Sequence, residues 1–353
     1  MKDKILIYRL GSLGDTIIAL PCFNKIIETF PNSEITILTN APVSSSAAPI
    51  ANILSPKIYD RIITYPIGLR NPIVFFRLLK RIYVLKIDTL FYLTEARSPL
   101  TVFRDTIFFK LLGIKNIIGL PKKESDFKVE KDSESNFSFE WEAKRLTKRL
   151  TQFIGDIDLN NSKNWELFLT ENENQKAKIF LKNYAKGPLL TICTGTKFNT
   201  NDWGINNWKY LLSLLKSRLK GWKLIIVGGP EDILNGNECL DVWGGEGLNL
   251  CGLTEVRVSA CIIKRANLFI GHDSGPLHLA SCVGTHSIGI YSGRNKPGQW
   301  FPRKNNNKVI YHSTSCSGCG LIHCLHENKK CILSITPEEV LKEVEILLST
   351  VNF

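Results

Sequence analysis

Short apolar runs alternate with stretches of helical spacing along most of the chain. Lys4 to Tyr8 is almost continuously apolar, as in a strand covered on both faces. Pro21 to Phe30 then places apolar residues at helical intervals. Ile35 to Thr39, Arg61 to Tyr65 and Thr89 to Leu93 read as further strands, with helical spacing over Val74 to Leu85 between the last two. Ile117 to Leu120 ends another βα unit. The polar stretch from Lys122 to Ser138 breaks the rhythm and reads as a long mobile loop.

A second series opens near Gly187. Leu189 to Cys193, Lys223 to Val227, Leu268 to Gly271 and Ser287 to Tyr291 read as strands. Trp208 to Leu219, Val256 to Ala266 and Pro276 to Val283 read as the helices between them. Strands alternating with helices predict an α/β protein with parallel sheets, in two similar halves. The boundary falls between residues 165 and 185. The reading assigns 1–172 to a first domain, 173–335 to a second and 336–353 to a terminal helix. That helix opens on Thr336 as cap, Pro337 in the first turn and two acids that complement the dipole. Two such halves facing each other are expected to hold a ligand in the cleft between them.

Length and composition agree with this picture. The 353 residues exceed what one core usually organises, and 44% apolar with 22% charged residues excludes a disordered or fibrous chain. No run approaches the roughly 18 apolar residues of a membrane span. The N-terminus enters the first strand without the apolar stretch of a secretory signal, so the expected location is cytoplasmic. The net charge of +12 points to an anionic partner. Its excess is uneven: residues 57–110 hold ten Lys or Arg against four acids, whereas 122–149 is nearly balanced. No nucleic-acid-binding motif is present. The charge fits either an ordinary basic surface or attraction to an anionic membrane or phosphorylated acceptor.

Six of the ten cysteines are scattered, several in apolar runs, and read as small core residues. Cys316, Cys319, Cys324 and Cys331 cluster late, with one C-x-x-C and two interleaved histidines. That spacing suits a structural metal, disulfide pairing or free thiols.

Candidate chemistry sits where strands end. Arg9-Leu-Gly11-Ser12-Leu-Gly14-Asp15 follows the first strand, and its two glycines allow a tight turn and close approach to a ligand. Asp15 begins a helix, where it either caps that helix or takes a proton from an acceptor hydroxyl. Asp273-Ser274-Gly275-Pro276-Leu-His278 follows the strand ending at Gly271. The amides of Ser274 and Gly275 at a helix N-terminus make an anion site suited to a diphosphate, and His278 adds a donor. Thr194-Gly195-Thr196-Lys197 offers hydroxyls, amides and an ammonium to phosphate. Gly-Gly-Pro-Glu231-Asp232 offers acids to ribose hydroxyls. Three such loops on one sheet edge define a nucleotide-diphosphate pocket in the second domain.

These motifs, in this order, resemble the lipopolysaccharide heptosyltransferases of glycosyltransferase family 9. The late cysteines before Ile335-Thr-Pro-Glu-Glu resemble the C-terminus of many members. The resemblance implies a GT-B architecture of two Rossmann-like domains, acceptor side first and nucleotide-sugar side second, with the terminal helix returning to the first. It implies inverting transfer of heptose from ADP-heptose to a lipid-linked core sugar, with no metal or other cofactor. It places the base on Asp15, within the acceptor-side loop Arg9, Gly11, Ser12 and Gly14. Donor contacts fall on Thr194, Thr196, Glu231, Asp273, Ser274, Gly275 and His278. The anionic, lipid-linked acceptor would meet the first domain, with Arg61, Arg70, Arg77, Arg81, Arg97 and Arg104 as candidate contacts and the inner membrane's cytoplasmic face as the setting.

One departure stands out. Members usually carry a phosphate-contacting lysine two residues before the tryptophan that opens the next helix; here Asn201 stands before Trp203. Lys197 is the available substitute, and donor identity is left open. Two rival readings share the fold: a nucleotide-sugar epimerase, which needs no acceptor, and a non-catalytic nucleotide-sugar-binding homologue.

Overall fold

The computed structural model describes residues 2–42, 48–68, 71–95, 97–132, 138–184, 186–302 and 306–351. It divides into two compact units, Met1–Phe168 and Leu169–Phe353; the sequence reading drew the division at residue 172.

The first unit runs β1 (Lys4–Tyr8), α1 (Leu13–Ile18), α2 (Leu20–Thr29), β2 (Glu34–Asn40), β3 (Arg61–Tyr65), α3 (Pro72–Tyr83), β4 (Thr89–Tyr92), α4 (Pro99–Leu111), β5 (Asn116–Ile118), α5 (Glu124–Phe127), α6 (Glu142–Lys148) and α7 (Thr151–Ile154). Its sheet has the order β3-β2-β1-β4-β5, every pairing parallel. β1 is central, so both its faces are covered, which is why it is apolar at consecutive positions. Leu6 and Tyr8 join Leu78, Ile82 and Phe109 in one core, which fixes α3 and α4 on the same face. Asn71 caps α3 by accepting from the Ile73 and Val74 amides, and Ser98 caps α4 through the Thr101 amide. α4 carries large apolar residues both inward (Val102, Phe109) and outward (Leu100, Phe103, Ile107, Leu111), so spacing alone did not delimit it. The polar stretch after β5 is more structured than expected: α5 lies within it, and Lys131 bridges Phe139. Its residues 133–137 lie outside the described residues.

The second unit runs α8 (Glu171–Phe180), β6 (Leu189–Cys193), α9 (Ile205–Arg218), β7 (Lys223–Ile226), α10 (Ile233–Trp243), β8 (Gly247–Asn249), α11 (Val256–Lys264), β9 (Leu268–His272), α12 (Gly275–Val283), β10 (His286–Tyr291), β11 (Asn307–Tyr311), α13 (Lys330–Leu333) and α14 (Pro337–Thr350). Its parallel sheet has the order β11-β10-β9-β6-β7-β8. Trp203 and Trp208 anchor the core, with ring centroids 5.4 Å apart, edge to face.

The terminal helix has partners in the second unit. α14 packs against α9 and β10 of the second unit. Val340, Val344 and Leu347 lie on one stripe within that unit's core, and Arg218 pairs with Glu345 at 3.0 Å. Its apolar stripe is thus covered within the second unit.

Candidate functional site

In the first unit the chemistry gathers at the carboxyl end of β1. Gly11 has φ +116°, and a Cβ there would fall 2.5 Å from the Asp15 Cβ. Only glycine tolerates both conditions. Gly14 needs no such freedom, because it lies inside α1. Asp15 Oδ2 accepts from the Ser12 amide at 2.6 Å and the Ser12 hydroxyl at 2.9 Å. Asp15 therefore caps α1, one of its two sequence-based roles, through Oδ2. Oδ1 makes no hydrogen bond to another described residue; the Arg9 Nη2 stands 4.0 Å away. Arg9 is buried, donating Nη1 to the Leu93 carbonyl at 2.6 Å and Nη2 to the Asp15 carbonyl.

The sequence reading missed Glu95, beyond the end of β4. The chain around its partly solvent-open carboxyl crowds out enough water to raise its pKa, and the charge of Asp15 raises it further against the pull of Arg9. No signal in its local sequence marks it, because its neighbours at that corner are 80 to 86 residues earlier.

In the second unit β6 is flanked by β7 on one side and β9 on the other, so the strand order reverses beside it. Ligands of open α/β sheets bind outside the carboxyl ends at such a reversal. The loops after β6, β7 and β9 leave there, and they contain all the residues read as donor-binding. Thr194, Thr196 and Ser274 each bury a hydroxyl with no hydrogen-bond partner among the described residues. Buried hydroxyls are normally satisfied, and three together on adjacent loops are a set of contacts waiting for a polar ligand. Gly275 opens α12; Pro276 carries no N–H and the Leu277 amide donates to the Ser274 carbonyl at 3.2 Å, which leaves the Gly275 amide as the donor at the helix end. His278 lies on its second turn, buried.

The remaining loop residues position this edge. Asp232 Oδ2 accepts from the Gly229 amide at 2.8 Å, and a Cβ on Gly195 would meet that same oxygen at 2.2 Å. Asp232 thus braces the β6 and β7 loops, and burial, reinforced by Glu231, raises its pKa. Glu231 is exposed. Asn201 is almost fully buried: it accepts from the Ser292 hydroxyl at 2.6 Å and donates to the Asp273 carbonyl at 3.1 Å. Asp273 Oδ2 accepts from Asn295 at 2.8 Å.

Two cations stand near. Lys197 Nζ lies 5.4 Å from the Phe198 ring centroid, and the Arg294 guanidinium lies 4.0 Å from it. Arg294 was not anticipated; its signal was the Ser-Gly-Arg following β10, a fourth strand end on the same edge. Beneath the loops, His272 Nε2 accepts from the Trp203 amide and the Trp208 indole, both at 3.2 Å. Burial lowers its pKa from 6.5 to about 4, so it is neutral.

The other candidates are dispersed. Arg61 pairs with Glu34 at 3.2 Å, and Arg97 and Arg104 both pair with the buried Asp105, at 2.7 and 2.8 Å. Arg77 and Arg81 lie on α3, and Arg70 lies outside the described residues. The four late cysteines are free thiols; among the described residues no group of three or more His, Cys, Asp or Glu is placed to hold a metal. Their segment instead braces the β6 loop: Thr200 donates its amide to Ile322 and its hydroxyl to Leu321, and Lys329 reaches the Asp202 carbonyl at 2.9 Å.

Two doubly wound parallel units in one chain, the second with hydroxyl-rich loops at its switch point, are the hallmark of the GT-B class of α/β proteins. The fold is shared with a glycosyl transferase family 9 protein from Veillonella parvula (TM-score 0.73, 18% identity, 99% of each chain covered). It is also shared with the Escherichia coli heptosyltransferase WaaC with ADP-2-deoxy-2-fluoro heptose (TM-score 0.60, 15% identity, covering 97% of this chain and 99% of that one).

The chain belongs to glycosyltransferase family 9 (heptosyltransferase), whose profile matches residues 101–330. It is 32% identical over 101 residues to lipooligosaccharide heptosyltransferase 2 of Campylobacter jejuni, a match covering 28% of this chain and 31% of that protein. It is 23% identical over 315 residues to the lipopolysaccharide core heptosyltransferase OpsX of Haemophilus influenzae, covering 87% and 84% of the two.

Proposed function

We propose that the chain is an inverting glycosyltransferase that moves a sugar, heptose from ADP-heptose in the first instance, to a hydroxyl of a lipopolysaccharide core or related lipid-linked glycan. The observation carrying this reading is the trio of unpartnered buried hydroxyls, Thr194, Thr196 and Ser274, beside the opening of α12. Diphosphate oxygens accept from hydroxyls and helix-end amides alike, and no carboxylate is needed to hold a cation. A relative named as a lipooligosaccharide heptosyltransferase and a fold-mate bound to a fluorinated ADP-heptose support the choice of sugar and nucleotide.

In this mechanism Asp15 Oδ1 takes the proton of the acceptor hydroxyl while Ser12 holds Oδ2. The hydroxyl oxygen bonds to the anomeric carbon from the face opposite the diphosphate. The bond from that carbon to the leaving oxygen breaks, its electron pair going to the diphosphate, and configuration inverts. The Gly275 amide at the start of α12, His278 and Lys197 stabilise the departing charge, a task other transferases give to a divalent cation.

The deciding experiment measures thermal stabilisation by ADP, UDP and GDP, then product formation from ADP-heptose with and without a heptose-deficient core acceptor in excess chelator. A ligand at about 100 times its Kd adds about 2.7 kcal/mol. Selective stabilisation by ADP with acceptor-dependent transfer is the expected result. Preference for UDP or GDP would overturn the sugar assignment, and conversion of the donor without acceptor would make the chain an epimerase.

A further inference from the structure

The outward side of the α3–α4 pair has a character that neither donor binding nor base catalysis uses. A surface helix normally turns polar residues to water. α4 instead presents Leu100, Phe103, Ile107 and Leu111 along one outward stripe, with Leu100 81% and Leu111 78% exposed. α3 does the same with Ile73, Phe76 and Tyr83, Phe76 being 66% exposed. The two helices are neighbours: Phe75 and Phe108 have ring centroids 5.9 Å apart. Large apolar residues exposed together on two neighbouring helices mark an interaction surface.

The charges within the band select its partner. α3 and α4 carry Arg77, Lys80, Arg81, Arg104 and Lys110, and their sole acid, Asp105, is buried beneath them. Arg77, Lys80, Arg81 and Lys110 have no acidic partner among the described residues. Aliphatic and aromatic tips interleaved with unpaired cations match an interface whose outer layer is anionic and whose next layer is hydrocarbon. A second copy of the chain is a poor occupant, since it would set cation against cation.

We infer that the α3–α4 face is the surface by which the first unit seats on an anionic lipid bilayer, with Phe76, Leu100, Phe103 and Leu111 entering the headgroup–acyl boundary and the α3 cations meeting lipid phosphates. The inference does not depend on which sugar is moved, and its readout needs no turnover.

The test is co-sedimentation of the full chain with vesicles of phosphatidylcholine alone and of phosphatidylcholine with phosphatidylglycerol. Binding is expected only with phosphatidylglycerol, fading as salt shortens the Debye length below about 8 Å. Each cation removed should weaken partitioning roughly fivefold, so Arg77→Gln/Lys80→Gln/Arg81→Gln should lose about a hundredfold. Leu100→Ser/Phe103→Ser, both at exposed positions, should also weaken it while leaving the melting temperature unchanged. The inference fails if the wild type ignores phosphatidylglycerol, if binding ignores salt, or if the serine pair binds as the wild type does. It also fails if the wild type is a dimer in solution that the serine pair dissociates, which would make the face a self-association surface.

Discussion

The Asn201 side chain donates to the Asp273 carbonyl at 3.1 Å across 72 residues of sequence. Its other amide atom accepts from Ser292. One buried side chain thus ties the loops after β6, β9 and β10, at the position where family members usually place a phosphate-contacting lysine. The cations near these loops are Lys197 and Arg294, 5.4 and 4.0 Å from the Phe198 ring centroid.

Removing that tie has a measurable consequence. Asn201→Ala removes the bonds to the Ser292 hydroxyl and the Asp273 carbonyl, at about 0.5–1.5 kcal/mol for each bond lost. The melting temperature should fall by roughly 2–4 °C per kcal/mol for a unit of this size. Ser292→Ala breaks only one of the two bonds and should cost less. ADP affinity, read by calorimetry, should fall in the same order.

Asp15→Asn separates base catalysis from capping. The asparagine oxygen still accepts from Ser12, so the melting temperature should stay close to wild type. Turnover should drop roughly 10²–10⁴-fold, the usual contribution of a positioned base. ADP affinity should be unaffected, since the donor loops belong to the other unit. Single-turnover assays with titration of ADP check all three, and unimpaired turnover would remove Asp15 from the chemistry.

Gly195→Ala would place a methyl 2.2 Å from Asp232 Oδ2. Overpacking of this kind costs roughly 1–3 kcal/mol, and here it pushes the β6 loop away from the β7 loop. The predicted result is weaker ADP binding with normal far-ultraviolet circular dichroism. Adding Asp232→Ala removes the clash, so the double variant should be more stable than the Gly195→Ala single, a coupling visible in a double-mutant cycle.

His272 gives stability a pH dependence whose sign follows from its lowered pKa. The folded protein keeps it neutral down to about 4, whereas the unfolded chain binds a proton near 6.5. Between those values the unfolded state holds more protons. Stability is therefore fully present above pH 6.5 and is lost as pH falls toward 4, by about 3 kcal/mol from this group. Urea unfolding at pH 7 and pH 4.5 should show that loss, and His272→Gln should flatten it.

Much of the fold was legible because parallel strands buried on both faces announce themselves as apolar runs, as Lys4–Tyr8 and Leu189–Cys193 do. The motif after each strand was legible for the same reason: once a strand end is known, its glycines and hydroxyls fall on the ligand edge. α4 was not, since apolar residues on both its inward and outward sides blur the helical spacing. Asn201 drew notice only as a departure, because its partners lie 72 and 91 residues away. Glu95 shares that obscurity; its neighbours Arg9 and Asp15 are supplied by the sheet and not by the sequence around it.

One guanidinium constrains how this protein could be re-engineered. Arg9 holds the Leu93 carbonyl with one nitrogen and the Asp15 carbonyl with another, two residues upstream of Glu95. The segment after β4 and the turn bearing Asp15 are therefore a single mechanical part. Redesigning residues 93–95 would shift Asp15 as well, so under the proposed function substrate range and rate would change together.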